Sequence, residues 1–367
     1  MNRDILTNND SMSIYRQFRQ YFINEHDLTK YFTDSFIDSK SLTLRNISKI
    51  LSYHIFNIHP NTSVIHTTYI NNLVDIIKPK IMLYDNNKHE DTNKFISGHF
   101  ATNRLTITHK PYIIYMILYT IRKIFNIYMY NIGYINIIDP STRIRVWIKY
   151  NKKNKYIIPL VFLHGFGFGI VPYISKINKL SHNRTIIIPE IPNISYDFYK
   201  NHPPSINNII YVLHDILLKQ NITRVDLIGH SFGTMILNAF QLKYPDMCNC
   251  KTYAEPTCFY IQQPHIMKIG YKSPRLTFNF KKIIKYLIYQ FIFRDQYIQY
   301  IIKRCIFEEH ALLNNFDNKT NIILAKDDYL VPSVYIYNYI TTYYSNVNVY
   351  MTDGNHGSWI MDHSLSA

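Results

Sequence analysis

At 367 residues, 47% of them hydrophobic, the chain is long enough for one large α/β domain plus an appended or inserted piece, which excludes a disordered or peptide-sized protein. The net charge of +15 accompanies a general enrichment in isoleucine, asparagine, lysine and tyrosine, residues encoded largely by A/T-rich codons. No nucleic-acid-binding motif accompanies it, so nucleic acid is not an expected partner. The four cysteines, Cys248, Cys250, Cys258 and Cys305, lack Cys-x-x-Cys spacing, so neither a zinc site nor a disulfide scaffold is expected, and free thiols are.

Met1 to Asp10 is polar without an apolar core, so no signal peptide is expected. Tyr15–Tyr31 and Leu44–Ile58 read as helices, and Asn86–Asn93 as a polar loop. Pro111–Tyr130 reads as a strongly apolar helix opened by a proline. Arg122 and Lys123 interrupt its apolar run, which therefore falls short of a membrane span. A helix apolar all round is expected to be core. Residues 1–140 show no strand alternation and are taken as a helical N-terminal region.

The texture changes in residues 141–367. Arg143–Tyr150 is strand-like and is followed by a polar hairpin turn, Asn151–Lys155. Short apolar runs come next: Ile157–Leu163, Thr185–Ile188, Val225–Ile228, Lys251–Ala254, Asn321–Ala325 and Val347–Met351. Among them lie helical patterns at Ile206–Leu218, Thr234–Tyr244 and Ser333–Tyr344. Strands alternating with helices predict an α/β fold, a mostly parallel central sheet with helices on both faces. Residues 259–318 form a connection too long for a simple crossover; the basic, aromatic stretch Phe278–Phe307 predicts a helical lid insert over the sheet.

The chemistry centres on Gly229-His230-Ser231-Phe232-Gly233, set between an apolar strand and a helix-forming run. The two glycines permit a sharp strand-to-helix turn that exposes the Ser231 hydroxyl. Only 10 glycines occur in the chain, which makes their clustering informative. A serine nucleophile needs a base, and the base needs a carboxylate to fix its tautomer. His356, in a glycine-flanked loop after the last strand, fits the base, and Asp328, heading Asp-x-Leu-Val-Pro after the preceding strand, is favoured over Asp327 as the acid. Glu255 reads as a structural carboxylate bonding nearby amides. The loop His164-Gly165-Phe166-Gly167-Phe168-Gly169 offers an oxyanion hole built from the amides of Phe166 and Phe232. It lacks the spacing of a dinucleotide fingerprint and the lysine of a phosphate loop, and no histidine pair with a third metal ligand is evident, so no cofactor and no metal are implied.

From about residue 145 to 367 the chain resembles the α/β-hydrolase superfamily. The resemblance rests on the order Ser231, Asp328, His356, on Pro159–Gly169 and on Gly229–Thr234. The last two segments are similar to a eukaryotic branch with a helical N-terminal extension, which usually has Asp-Pro where this chain has Glu255-Pro256. The resemblance implies a serine hydrolase, esterase- or lipase-like. The aromatic lid favours a lipid-like acyl ester, and the basic, aromatic lid and the Pro111–Tyr130 helix allow peripheral contact with an anionic membrane surface, at a cytoplasmic or membrane-peripheral location. An amide or peptide hydrolase on the same fold, and a non-catalytic binding protein, remain alternatives.

Overall fold

The computed structural model describes residues 43–56, 64–81, 105, 107–151, 157–195, 203–259, 283, 286–302 and 316–362, with separate positions among 12–32. These fall into two compact units, one up to Leu105 and the other from there on. In the first, α1 (Leu44–Phe56) and α2 (Val64–Ile77) share a core in which Ile47, Leu51, Ile55, Leu73 and Ile77 meet Phe22 and Phe32. The Lys80 ammonium donates to the carbonyls of Phe22 (2.8 Å) and Ile23 (2.7 Å).

The second unit opens with α3 (Tyr112–Asn131), which starts immediately after Pro111, as the fixed proline φ favours. It is followed by β1 (Ile135–Ile138), β2 (Arg145–Lys149), β3 (Leu160–Leu163), α4 (Ile174–Leu180), β4 (Ile186–Glu190), α5 (Ile206–Lys219), β5 (Val225–His230), α6 (Phe232–Lys243), β6 (Cys248–Ala254), α7 (Gln296–Tyr300), β7 (Thr320–Ala325), α8 (Ser333–Tyr343), β8 (Asn348–Thr352) and α9 (Ser358–Met361). The strands form one eight-stranded sheet in the order β1-β2-β4-β3-β5-β6-β7-β8. Pairings β1–β2 and β2–β4 are antiparallel, and the rest are parallel.

The central strands carry runs of consecutive apolar residues because both faces are covered. Leu160, Phe162, Ile186, Ile188 and Ile228 share one cluster with Phe125 and Met129 of α3, Ile177 of α4 and Trp359 of α9. Their neighbours Val161, Ile187 and Leu227, which alternate to the opposite face, are equally buried. Helix α5 shows the matching helical pattern, burying Ile206, Ile209, Ile210, Leu213, Ile216 and Leu217, and its cap Ser205 accepts from Asn208 N–H at 3.2 Å.

Three expectations need correction. A strand, β1, lies before residue 140 and pairs with β2, and the compact unit that contains the sheet includes α3. The β1 run is only four residues long, INII, too short to show alternation. The predicted hairpin after Arg143–Tyr150 does not form: β2 pairs with β1 and β4, because β3 is already flanked by parallel β4 and β5. Helix α3 is not core all round; it buries Arg122, Phe125 and Met129 and exposes most of its isoleucines. Arg122 faces inward because it pairs with the fully buried Glu190, which also accepts from Trp147 Nε1 at 2.9 Å. Burial pushes the Glu190 carboxyl up, but the Arg122 charge and hydrogen bond outweigh it and hold the pKa at about 2.

Of the predicted helical insert, Tyr289–Phe293 forms a π-helical turn and α7 follows it. Much of 259–318, the turn Asn151–Lys155 after its first residue, the loop 86–93 and Cys305 lie outside the described residues. Cys248, Cys250 and Cys258 are free thiols.

Candidate active site

The β5–α6 turn is shaped by two absent side chains. A Cβ on Gly229 would lie 2.7 Å from the Gly233 carbonyl oxygen, and one on Gly233 would lie 2.0 Å from that of Leu163. The helix therefore packs directly on the ends of β5 and β3. Between the glycines, Ser231 takes φ 52° and ψ −121°, a left-handed conformation costing about 1–3 kcal/mol that the surrounding packing must hold. Its amide donates to Ala254 O at 3.0 Å and its carbonyl accepts from Thr234 N–H at 2.9 Å. Gly229→Ala is expected to lower stability by about 1–3 kcal/mol, because the Gly233 carbonyl must shift to admit the methyl group. Chemical denaturation measures this directly; an unchanged midpoint would count against the close approach.

Ser231, Asp328 and His356 come from the ends of β5, β7 and β8. His356 Nε2 lies 2.9 Å from Ser231 Oγ, and His356 Nδ1 lies 2.7 Å from Asp328 Oδ2. The other Asp328 oxygen accepts from Leu330 N–H (2.7 Å) and Val331 N–H (2.9 Å), which fixes the carboxylate. An ionised carboxylate only accepts, so Nδ1 carries the proton and Nε2 is free to accept from the serine hydroxyl. Asp327 is exposed, and its amide braces the histidine loop by donating to Gly354 O at 2.9 Å. Gly354 and Gly357 take positive φ of 112° and 93° on either side of the histidine. Burial disfavours the His356 imidazolium. The Asp328 hydrogen bond and charge, with the Glu255 charge, outweigh burial and hold its pKa above 6.5.

The glycine loop lies against the serine: a Cβ on Gly165 would sit 3.0 Å from Ser231 Cβ. The Phe166 and Phe232 rings stack with centroids 4.2 Å apart, bringing those two residues together beside Ser231. Phe232 is the first residue of α6, so its amide has no acceptor within the helix. Gly167 has φ 123°, and a Cβ there would meet Ile292 Cδ1 at 3.3 Å, so the π-helical turn of the insert covers this loop.

Beneath the site lies a network that sequence reasoning missed. Glu255, fully buried with φ 45°, follows β6, the sheet neighbour of β5. One of its oxygens accepts from His230 Nε2 (2.8 Å) and from the Gly357 amide, and the other from Ser358 Oγ (3.2 Å) and Trp359 N–H (3.0 Å). Because Glu255 accepts, His230 Nε2 bears the proton, so His230 Nδ1 accepts from the Tyr173 hydroxyl at 2.8 Å. Tyr173 in turn accepts from Gly165 N–H at 3.1 Å. This chain links the glycine loop to the histidine loop. Burial lowers the His230 pKa, consistent with a neutral ring. Burial raises the Glu255 pKa, but the His230 hydrogen bond, the electrostatics of the two neighbouring imidazoles and the Trp359 amide bring it to about 2. The reading of Glu255 as a carboxylate bonding nearby amides agrees with these contacts. His230 sits inside the Gly-x-Ser-x-Gly pattern, yet its partners come from α4's approach and β6, so no local signal marked it. His230, Glu255 and His356 bring ligand-type atoms within 4.8 Å of one another, but hydrogen bonds already engage those atoms.

Residues 158–267 match the family model described as alpha/beta hydrolase fold. Together with the strand order, this shows an α/β-hydrolase fold. The chain is similar to Abhydrolase domain-containing protein abhd-5.2 of Caenorhabditis elegans, 28% identical over 116 residues, which are 30% of this chain and 26% of that protein. The match thus spans about a quarter of that relative's length. Among solved structures, the chain is similar to carboxylesterase CesB of Bacillus subtilis, at 11% identity and a TM-score of 0.44 over 66% of this chain and 91% of that one. It is also similar to serine hydrolase CCSP0084 of Cycloclasticus zankles, at 15% identity and a TM-score of 0.44 over 62% and 92%.

Proposed function

We propose that the protein is a serine hydrolase that cleaves a carboxylic ester, lipid-like in its acyl part, through an acyl-enzyme. The hydrogen-bonded series Ser231–His356–Asp328, at 2.9 and 2.7 Å, carries this reading. Ser231 Oγ attacks the ester carbonyl while His356 Nε2 takes its proton, and Asp328 stabilises the imidazolium. The amides of Phe166 and Phe232 stabilise the tetrahedral oxyanion, each worth about 3 kcal/mol in the transition state. His356 returns the proton to the leaving alkoxide, giving an alcohol and the Ser231 acyl ester. Water, deprotonated by the same imidazole, then releases the acid and restores the serine. No metal or cofactor enters these steps. The apolar turn over the glycine loop, with Tyr289 and Ile292, supports an acyl chain over a charged group as substrate.

A fluorophosphonate probe reacts with an activated serine by the same attack. The expected result is a covalent adduct on Ser231 in the wild type and none in Ser231→Ala. Equal labelling of the two, or no labelling of the wild type, would leave a binding module on a hydrolase fold. A panel of esters and amides matched in acyl length then separates ester from amide cleavage.

A further inference from the structure

Helix α3 is arranged opposite to an ordinary surface helix. Its inward face carries Arg122, buried on Glu190, beside Phe125 and Met129. Its outward face carries Ile113, Ile117, Ile121, Ile124 and Ile127, a stripe at spacings of three and four. Ile113, Ile124 and Ile127 are 63%, 62% and 61% exposed, values typical of solvated polar side chains. At 1.5 Å per residue the stripe runs about 20 Å along the helix. A continuous apolar patch of this kind marks a docking surface.

Charge and aromatic placement select the occupant. No aspartate or glutamate occurs from Thr92 to Ile138, whereas Lys94, Arg104 and Lys123 do, besides Lys110 and Arg122, which Asp295 and Glu190 neutralise. Lys123 is exposed beside the stripe. Tyr112 and Tyr128 are exposed as well, and the amphipathic phenol suits the headgroup level at which a flat-lying helix rests. No helix among the described residues is long and apolar enough to cross a membrane. We infer that α3 lies in the plane of an anionic phospholipid surface, with its isoleucine stripe among the acyl chains and Lys123 at the headgroups.

The test uses the full chain in flotation with phosphatidylcholine vesicles, with and without phosphatidylserine. Binding is expected only when phosphatidylserine is present, and to weaken as salt rises. Ile117→Glu/Ile124→Glu is expected to lower the partition coefficient about tenfold or more, because two buried apolar groups become charged. Both positions are exposed, so the thermal melt and fluorophosphonate labelling should be unchanged; vesicle binding is read without any hydrolysis and is independent of the proposed chemistry. Absence of wild-type binding, equal binding by the double variant, or indifference to phosphatidylserine would overturn the inference. So would a concentration-dependent dimer that the double substitution abolishes, which would assign the stripe to a second copy.

Discussion

His356→Ala is expected to lower kcat about 10⁶-fold, and Asp328→Asn about 10⁴-fold, on whichever ester the substrate panel identifies. The two losses differ for a structural reason. Removing the imidazole leaves Ser231 Oγ without its acceptor at 2.9 Å. An asparagine at 328 can still accept from Leu330 and Val331 N–H through its oxygen, but it then turns an NH₂ toward His356 Nδ1. That selects the tautomer with its proton on Nε2, the wrong one for a base. The same interactions set the pH profile. His356 must be neutral to act, and its pKa is raised above 6.5, so kcat/KM should fall with acid along a limb centred above pH 6.5. Steady-state rates across pH measure both effects. A limb at or below 6.5, or a loss smaller than a hundredfold in His356→Ala, would contradict the assignment of His356 as the base.

Glu255→Gln is expected to destabilise the protein by about 3–5 kcal/mol, although it replaces one oxygen by a nitrogen of nearly equal size. Every contact of the carboxylate comes from a donor: His230 Nε2 and Gly357 N–H on one oxygen, Ser358 Oγ and Trp359 N–H on the other. Whichever way the glutamine amide is turned, its NH₂ faces a backbone N–H, and a buried donor is left unsatisfied. The deficit should also depend on pH in a defined direction. The Glu255 pKa is depressed from 4.5 to about 2, so its contribution is complete above pH 4.5 and is lost as pH falls toward 2. The gap between wild type and Glu255→Gln is therefore expected to be widest near neutrality and to close in acid. Denaturant titrations at several pH values provide the comparison; a constant gap would mean that charge plays no part.

The elements that the sequence made legible share a property: each is set by local pattern. The unbroken apolar runs of β3, β4 and β7 signal two-sided burial, and α5 has a stripe at helical spacing behind a serine cap. The grouping of Ser231, Asp328 and His356 is likewise legible because each stands in the loop that follows a strand, in the order of the superfamily that the chain resembles. What escaped depends on contacts between distant segments. Glu255 reaches the Gly357 amide across 102 positions, and Arg122 reaches Glu190 across 68. From sequence alone Arg122 looked like an interruption of an apolar helix; only the sheet reveals it as the buried partner of a carboxylate. The antiparallel place of β2 escaped for the same reason, since β2 pairs with β1 and β4 and not with the next strand in the chain.

The anchoring of the covering segment bears on where this domain can be cut. The π-helical turn over the glycine loop is clipped to the stretch just before α3. Thr108 N–H donates to Arg294 O at 3.0 Å, Thr108 Oγ1 donates to Gln290 Oε1 at 3.0 Å, and Lys110 Nζ pairs with Asp295 Oδ2 at 3.3 Å. A fragment trimmed near residue 140, where the texture of the chain changes, would lose this clip, the edge strand β1 and the cation that neutralises Glu190 in a single cut. A version of the sheet-bearing unit that keeps these contacts begins no later than Thr106, and more than thirty residues that look like part of a separate N-terminal region in sequence belong to the same compact unit as the serine.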